Sequence, residues 1–103
     1  KGLSPTGATI LINRRQAAVL DLRPADAYKA GHLPGAKHID VAGITAAIEK
    51  LKLDRKNPVV LVCETGTQSR KALAEVQKLG FAEVGSLDGG VQAWKAATLP
   101  LIK

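Results

Sequence analysis

Pro58-Val59-Val60-Leu61-Val62-Cys63-Glu64-Thr65-Gly66-Thr67-Gln68-Ser69 is the stretch on which the fold turns. Val59 to Val62 form a continuous apolar run rich in β-branched residues. It is too short for a helix and reads as a strand covered on both faces. Cys63, the only cysteine of the chain, stands at its end. A polar loop follows, and the pattern then turns helical over about residues 68–79, with Ala72, Leu73, Val76 and Leu79 on one face and Gly80 at the C-terminal cap. Strand, thiol, short loop and helix N-terminus in succession are a way to build a reactive cysteine. Backbone N–H groups of the loop and the positive end of the helix can both face the sulfur. A thiol kept for packing alone has no use for such a loop.

Outward from this stretch, strands and helices alternate. Ser4-Pro5 reads as an N-cap followed by Pro at the first helical position, opening a helix over about residues 6–14 with Ile10 and Leu11 facing inward. Residues 18–22 form a strand, and a short helix runs from Arg23-Pro24 to about Lys29, ended by Gly31. His32 to Ala36 is a loop with a Pro-Gly turn signal. A brief strand over 37–40 and a helix over 43–51, carried by Ile44, Ile48 and Leu51, precede the central strand. After it come a strand over 83–87, an Asp88-Gly89-Gly90 turn and a helix over 91–97 carrying Trp94. The 99–102 tail packs or frays. Sequential βαβ units predict an α/β domain, a mostly parallel sheet with helices on both faces. Ligands of such sheets bind at the carboxyl ends of the strands, which is where Cys63 stands.

The bulk numbers narrow the function classes. The 103 residues suit one domain spanning 1–103 with a single core, and no repeat or linker interrupts them. The hydrophobic share is 46% and the aromatic share 3%, so the core is built from Val, Leu, Ile and Ala. No apolar run reaches the roughly 20 residues that cross a bilayer, and no signal-peptide pattern is visible. The expectation is a cytoplasmic protein, with a membrane tether through an upstream segment left open because the chain starts at Lys1. A single cysteine excludes an internal disulfide, a Cys-x-x-Cys redox pair and a cysteine-rich zinc site. The net charge of +6 is spread along the chain in basic runs no longer than Arg14-Arg15. With almost no aromatic stacking platforms, nucleic acid is not an expected partner.

The loop's own chemistry favours negative charge on sulfur. A free thiol ionises at about pH 8.5, and nearby N–H groups or cations lower that value. The curve of N–H groups over 63–69 is an anion-binding nest, with Gly66 in its middle where close approach or positive φ is needed. Such a nest suits a thiolate and equally a persulfide. Thr67 and Ser69 can donate hydroxyl hydrogen bonds, and Arg70 is a nearby cation.

Four segments in order resemble a single-domain, bacterial-type rhodanese (thiosulfate sulfurtransferase-like) over nearly the whole length. They are Leu20-Asp21-Leu22-Arg23, Tyr28-Lys29-Ala30-Gly31-His32-Leu33-Pro34-Gly35-Ala36, Cys63-x-x-Gly66-x-x-Ser69, and Leu87-Asp88-Gly89-Gly90-x-x-x-Trp94 with Leu99-Pro100 after it. The resemblance implies a rhodanese-like α/β fold around a mostly parallel five-stranded sheet. It implies a sulfurtransferase in which the Cys63 thiolate takes the sulfane sulfur of thiosulfate or a persulfide donor and passes it to a thiophilic acceptor. It implies Cys63 as catalytic residue and Glu64, Thr65, Gly66, Thr67, Gln68, Ser69 and Arg70 as the substrate cradle. No metal or organic cofactor is implied. The partners are a small sulfur-containing anion or persulfide donor and a thiol acceptor, a protein among the candidates. Two alternatives stand beside this reading: a persulfide-binding relay or interaction module without turnover, and a redox-sensing thiol.

The resemblance has departures. Such loops often carry a basic residue after the cysteine and Arg before the Ser, where this chain has Glu64 and Gln68. A Glu64 aimed at the pocket mouth would raise the thiol pKa and repel thiosulfate, which predicts weaker use of thiosulfate and a lower KM on Glu64→Arg with Gln68→Arg. Thr98 stands where Gly is usual before Leu-Pro. Ser69 replaces the Arg that closes a Cys-x5-Arg phosphate grip, which argues against a phosphatase. Asp21 and Arg23 read as a structural ion pair fixing neighbouring loops. His32 reads as a loop tie to backbone carbonyls, His38 as structural or surface, and Trp94 as core. Asp88-Gly89-Gly90 lacks the dinucleotide fingerprint.

Overall fold

A computed structural model describes residues 2–103. Eleven segments follow in order: β1 (Gly2–Leu3), α1 (Pro5–Arg15), β2 (Ala18–Asp21), α2 (Ala25–Ala30), β3 (Lys37–His38), a 3-10 turn (Val41–Gly43), α3 (Ile44–Leu51), β4 (Val59–Val62), α4 (Thr67–Gln77), β5 (Val84–Leu87) and α5 (Gly90–Ala96). The five strands make one sheet in the order β1-β5-β4-β2-β3, and every pair is parallel. β4 is central, held by β2 (Ala18 opposite Val59, Asp21 opposite Val62) and by β5 (Val59 opposite Val84, Leu61 opposite Ser86).

Side-chain alternation divides β4 between two cores. Val59, Leu61 and Cys63 join Ile44, Ile48, Ala72 and Val76 of α3 and α4 on one face. Val60 and Val62 join Ala8, Leu11, Val91 and Trp94 of α1 and α5 on the other. All four β4 residues are buried, each contributing about 1.5–3 kcal/mol of apolar transfer. Covered faces on both sides are what make the strand read as an unbroken apolar run. Trp94 is core, as its spacing predicts, and its indole N–H donates to Pro100 O at 2.8 Å.

One sequence expectation, for α1, changes. Ile10 does not face inward; it is half exposed, while Ala8 and Leu11 are the buried positions of α1. Ile10 lies one helical turn from Thr6 and Arg14, both exposed, so it falls on the solvent face. β1 has no strand pattern of its own. Its two residues become a strand by pairing Gly2 with Ser86 and Leu3 with Leu87. The tail packs rather than frays, since Ile102 and His32 exchange both backbone hydrogen bonds at 2.8 Å. No described helix is long and apolar enough to cross a membrane.

Thr98 follows α5 with φ of +57°. A β-branched residue there is strained, by about 1 kcal/mol or somewhat more. Thr98→Gly is therefore expected to stabilise the fold by roughly 1 kcal/mol, read as a rise in Tm of several degrees.

Candidate active site

The sulfur of Cys63 lies where β4 ends and α4 begins, and the backbone there is shaped to surround it. Gly66 adopts φ of +93° and caps α4. That turn aims its N–H at Cys63 Sγ at 3.0 Å, and the N–H of Ser69 points to the same atom at 3.4 Å. Ser69 Oγ lies 3.5 Å from the sulfur. A Cβ on Gly66 would come within 2.9 Å of Gly89 N and 3.1 Å of Leu87 O, so the cradle closes only over glycine. The first turn of α5 holds the other side: Val91 N donates to Cys63 O at 2.9 Å and Gln92 N to Glu64 O at 3.2 Å. A Cβ on Gly90 would collide with Cys63 O, so this close approach also requires glycine.

Burial pushes the Cys63 thiol up, but the Ser69 hydroxyl and the N–H groups of Ser69, Gly66 and Thr65 outweigh it. The net displacement is downward, toward the thiolate. The side chain is only 2% exposed. Above the loop lies an open depression of about 400 Å³, walled by Thr65, Gly66, Thr67, Arg70 and Lys71.

Neither of the two departures, at 64 and 68, lines the depression. Glu64 is turned away from the depression. Its Oε1 lies 3.6 Å from Arg23 Nη1 and its Oε2 accepts from Gln92 Nε2 at 3.0 Å. Gln68 borders a separate groove with Arg23, His38 and Asp40. The cations at the depression are instead Arg70 and Lys71, and Arg70 is paired with Asp88 at 3.2 Å. Lys71 and Ser86 carry no signal of their own in the sequence. Lys71 looks like any exposed helix lysine, and Ser86 occupies one position of a short strand.

Asp21 and Arg23 form the structural pair that their motif suggests. Arg23 Nε and Nη2 donate to Asp21 Oδ1 and Oδ2 at 3.0 and 2.8 Å, and the two side chains are 5% and 0% exposed. Arg23 Nη2 also donates to Gly31 O at 2.6 Å. Burial opposes the charge, yet the bonds to Asp21 and the nearby carboxylates of Asp21 and Glu64 keep the guanidinium firmly protonated. This network ties β2, the end of α2, the loop and α5 together. His32 is a tie, with Nδ1 on Tyr28 O at 2.8 Å and its ring stacked on Tyr28 at 3.9 Å. Those contacts do not reach the loop. His38 Nε2 meets Arg23 O at 2.8 Å. Among the described residues, no group of three or more His, Cys, Asp or Glu side chains is placed to hold a metal ion.

Comparison with known proteins bears on the family and the fold. The sequence profile of the Rhodanese-like domain matches residues 5–97. A protein of Pseudomonas putida (strain GB-1) named thiosulfate sulfurtransferase GlpE is 38% identical over 96 residues, 93% of this chain and 86% of that protein. Its namesake in Pseudomonas savastanoi pv. phaseolicola is 39% identical over 97 residues, 93% of this chain and 88% of that protein. The crystal structure of thiosulfate sulfurtransferase from Pseudomonas aeruginosa superposes with a TM-score of 0.90 and 33% identity over 100% of this chain, which spans 19% of that longer chain. A rhodanese-related protein from Thermoplasma volcanium superposes with a TM-score of 0.82, at 20% identity, over 99% of this chain and 97% of its own. With matching profile, relatives and fold, the chain belongs to the rhodanese-like domain family.

Proposed function

We propose that the protein is a sulfurtransferase that carries a sulfane sulfur as a persulfide on Cys63. The enzyme class is supported by family membership and by relatives named for that activity. The covalent course is our reading, and the observation that carries it is the N–H and hydroxyl cradle converging on a single sulfur.

The Cys63 thiolate attacks the sulfane sulfur of thiosulfate. A bond forms between the two sulfurs, the S–S bond of the donor breaks, and sulfite leaves with the electron pair. The product is Cys63–S–S⁻. A thiolate acceptor, or cyanide in an assay, then attacks the outer sulfur. The acceptor leaves as its own persulfide, or as thiocyanate, and Cys63 returns as thiolate. A protein persulfide can replace thiosulfate as donor, its thiolate being the leaving group. Such double displacement gives ping-pong kinetics. Because the thiol is displaced downward, the acidic limb of the rate profile should lie below the roughly pH 8.5 of free cysteine.

Arg70 and Lys71 are the cations that meet an anionic donor. Arg70→Gln with Lys71→Gln is expected to raise the thiosulfate KM about three- to tenfold at low salt, with the difference shrinking at high salt. Glu64→Arg is not expected to lower it, since the new cation would face Arg23.

The test is mass spectrometry after incubation with thiosulfate or a persulfide donor, before and after cyanide. An adduct of one sulfur on Cys63, removed by cyanide, supports the proposal. An adduct from a protein persulfide alone favours a relay. No adduct, with ready peroxide oxidation, favours a redox sensor.

A further inference from the structure

Behind the cradle lies a second hydroxyl whose hydrogen has only one place to go. Ser86, on β5, is 1% exposed, and its Oγ lies 2.7 Å from Ser69 Oγ. Among the described residues, Ser69 is the one hydrogen-bond partner of the Ser86 hydroxyl. Ser69, fully buried, has three neighbours: Ser86 Oγ, Gly66 O at 3.2 Å and Cys63 Sγ at 3.5 Å. Each hydroxyl has one hydrogen to donate. If Ser69 gave its hydrogen to Ser86, the Ser86 hydrogen would be buried without an acceptor, a loss of about 1–3 kcal/mol. The satisfied arrangement has Ser86 donating to Ser69.

We propose that Ser86 is a positioning residue: by donating to Ser69 Oγ it holds that oxygen as an acceptor on the β5 side and leaves the Ser69 hydrogen to turn between Gly66 O and the sulfur of Cys63. While the thiol is neutral, its S–H donates to Ser69 Oγ and the Ser69 hydrogen goes to Gly66 O. When the thiol loses its proton to solvent, the Ser69 hydrogen swings from Gly66 O to the thiolate. Ser86 donates throughout and polarises Ser69 as a donor. The chain Ser86–Ser69–Cys63 thus favours the ionised sulfur, and it serves an outer sulfur held there equally. The inference rests on Cys63 being the reactive thiol of the proposed function, but its test does not depend on sulfur transfer.

The charged groups around the loop are Arg23 paired with Glu64, Arg70 paired with Asp88, and Lys71, with His38 and Asp40 in the groove beyond Gln68. None of them touches Ser86, so its substitution alters the sulfur through Ser69 alone. The measurement is the rate of Cys63 alkylation by iodoacetamide against pH, in the full chain. Ser86→Ala is expected to slow alkylation about three- to tenfold on the acidic limb and to leave the alkaline plateau unchanged. Ser86→Thr, which keeps the hydroxyl, should restore the acidic limb. In a Ser69→Ala background, Ser86→Ala should add nothing, because its effect passes through Ser69. An unchanged acidic limb in Ser86→Ala overturns the proposal. So does an equal loss with and without Ser69, which would mark a packing effect. Should the larger Thr fail to fold, the comparison of Ser86→Ala with and without Ser69 decides. Failure of sulfur transfer with the relay intact would count against the proposed function and not against the relay.

Discussion

Gly66→Ala is expected to lower kcat/KM for sulfur transfer by on the order of 10²-fold, the loss typical of displacing one preorganised donor from a developing anion. The N–H of Gly66 donates to the Cys63 sulfur at 3.0 Å, closer than the N–H of Ser69 at 3.4 Å. It points there because φ is +93°, and the missing Cβ leaves room for Gly89 N and Leu87 O. An alanine meets both obstacles at once. Its strained backbone adds about 1–3 kcal/mol, and its methyl group pushes the loop away from the Asp88-Gly89-Gly90 turn. The N–H then leaves the sulfur, and the acidic limb of alkylation moves to higher pH. The paired measurements are steady-state sulfur transfer and the pH dependence of alkylation. An alanine variant with both unchanged would mean that the cradle does not hold the anion.

Asp21→Ala is expected to be the most destabilising single substitution at the site. It removes the bidentate partner of a guanidinium that is 5% exposed. Breaking such a buried pair from one side loses about 3–5 kcal/mol, which in a domain of this size is a fall in Tm on the order of 15–25 °C. The loss reaches the Cys63 loop, because Arg23 also holds Gly31 O and faces Glu64. Removing both charges, as Asp21→Leu with Arg23→Leu, should be milder than Asp21→Ala alone, since no unpaired charge stays buried. Thermal unfolding followed by circular dichroism reads both. A loss below about 1 kcal/mol for Asp21→Ala, the level of an exposed pair, would contradict the structural role.

Much of the frame is legible in the sequence because it follows from periodicity. β4 shows as an unbroken apolar run since both of its faces are covered, and α4 shows through the spacing of Ala72 and Val76. The alternation of such segments is enough to predict a largely parallel sheet. β1 is not legible, since two residues carry no period and are strand only by pairing with β5. Ile10 misleads for a related reason, because an isolated apolar residue does not reveal which side of a helix it occupies.

At the site, residue types are legible but directions are not. Cys63, Gly66 and Ser69 can be recognised from spacing, and so can the Asp21–Arg23 pair. Glu64 looks like an obstacle to anionic donors, yet Arg23 and Gln92 draw its carboxylate aside. That rotation depends on partners 41 and 28 positions away along the chain, as the residue numbers give. Ser86 stays hidden because a serine in a strand is usually a solvent-facing position. Its burial beside Ser69 appears only when β4, β5 and α4 are assembled.

In the proposed reaction one cysteine carries the transferred sulfur as a covalent intermediate. Its most direct measurement is sulfite release on mixing the protein with excess thiosulfate, with no acceptor present. A rapid burst of about one sulfite per chain is expected, followed by arrest until cyanide or a thiol is added. The burst should be absent in Cys63→Ser. Release of sulfite only when the acceptor is present, or an undiminished burst from Cys63→Ser, would contradict it.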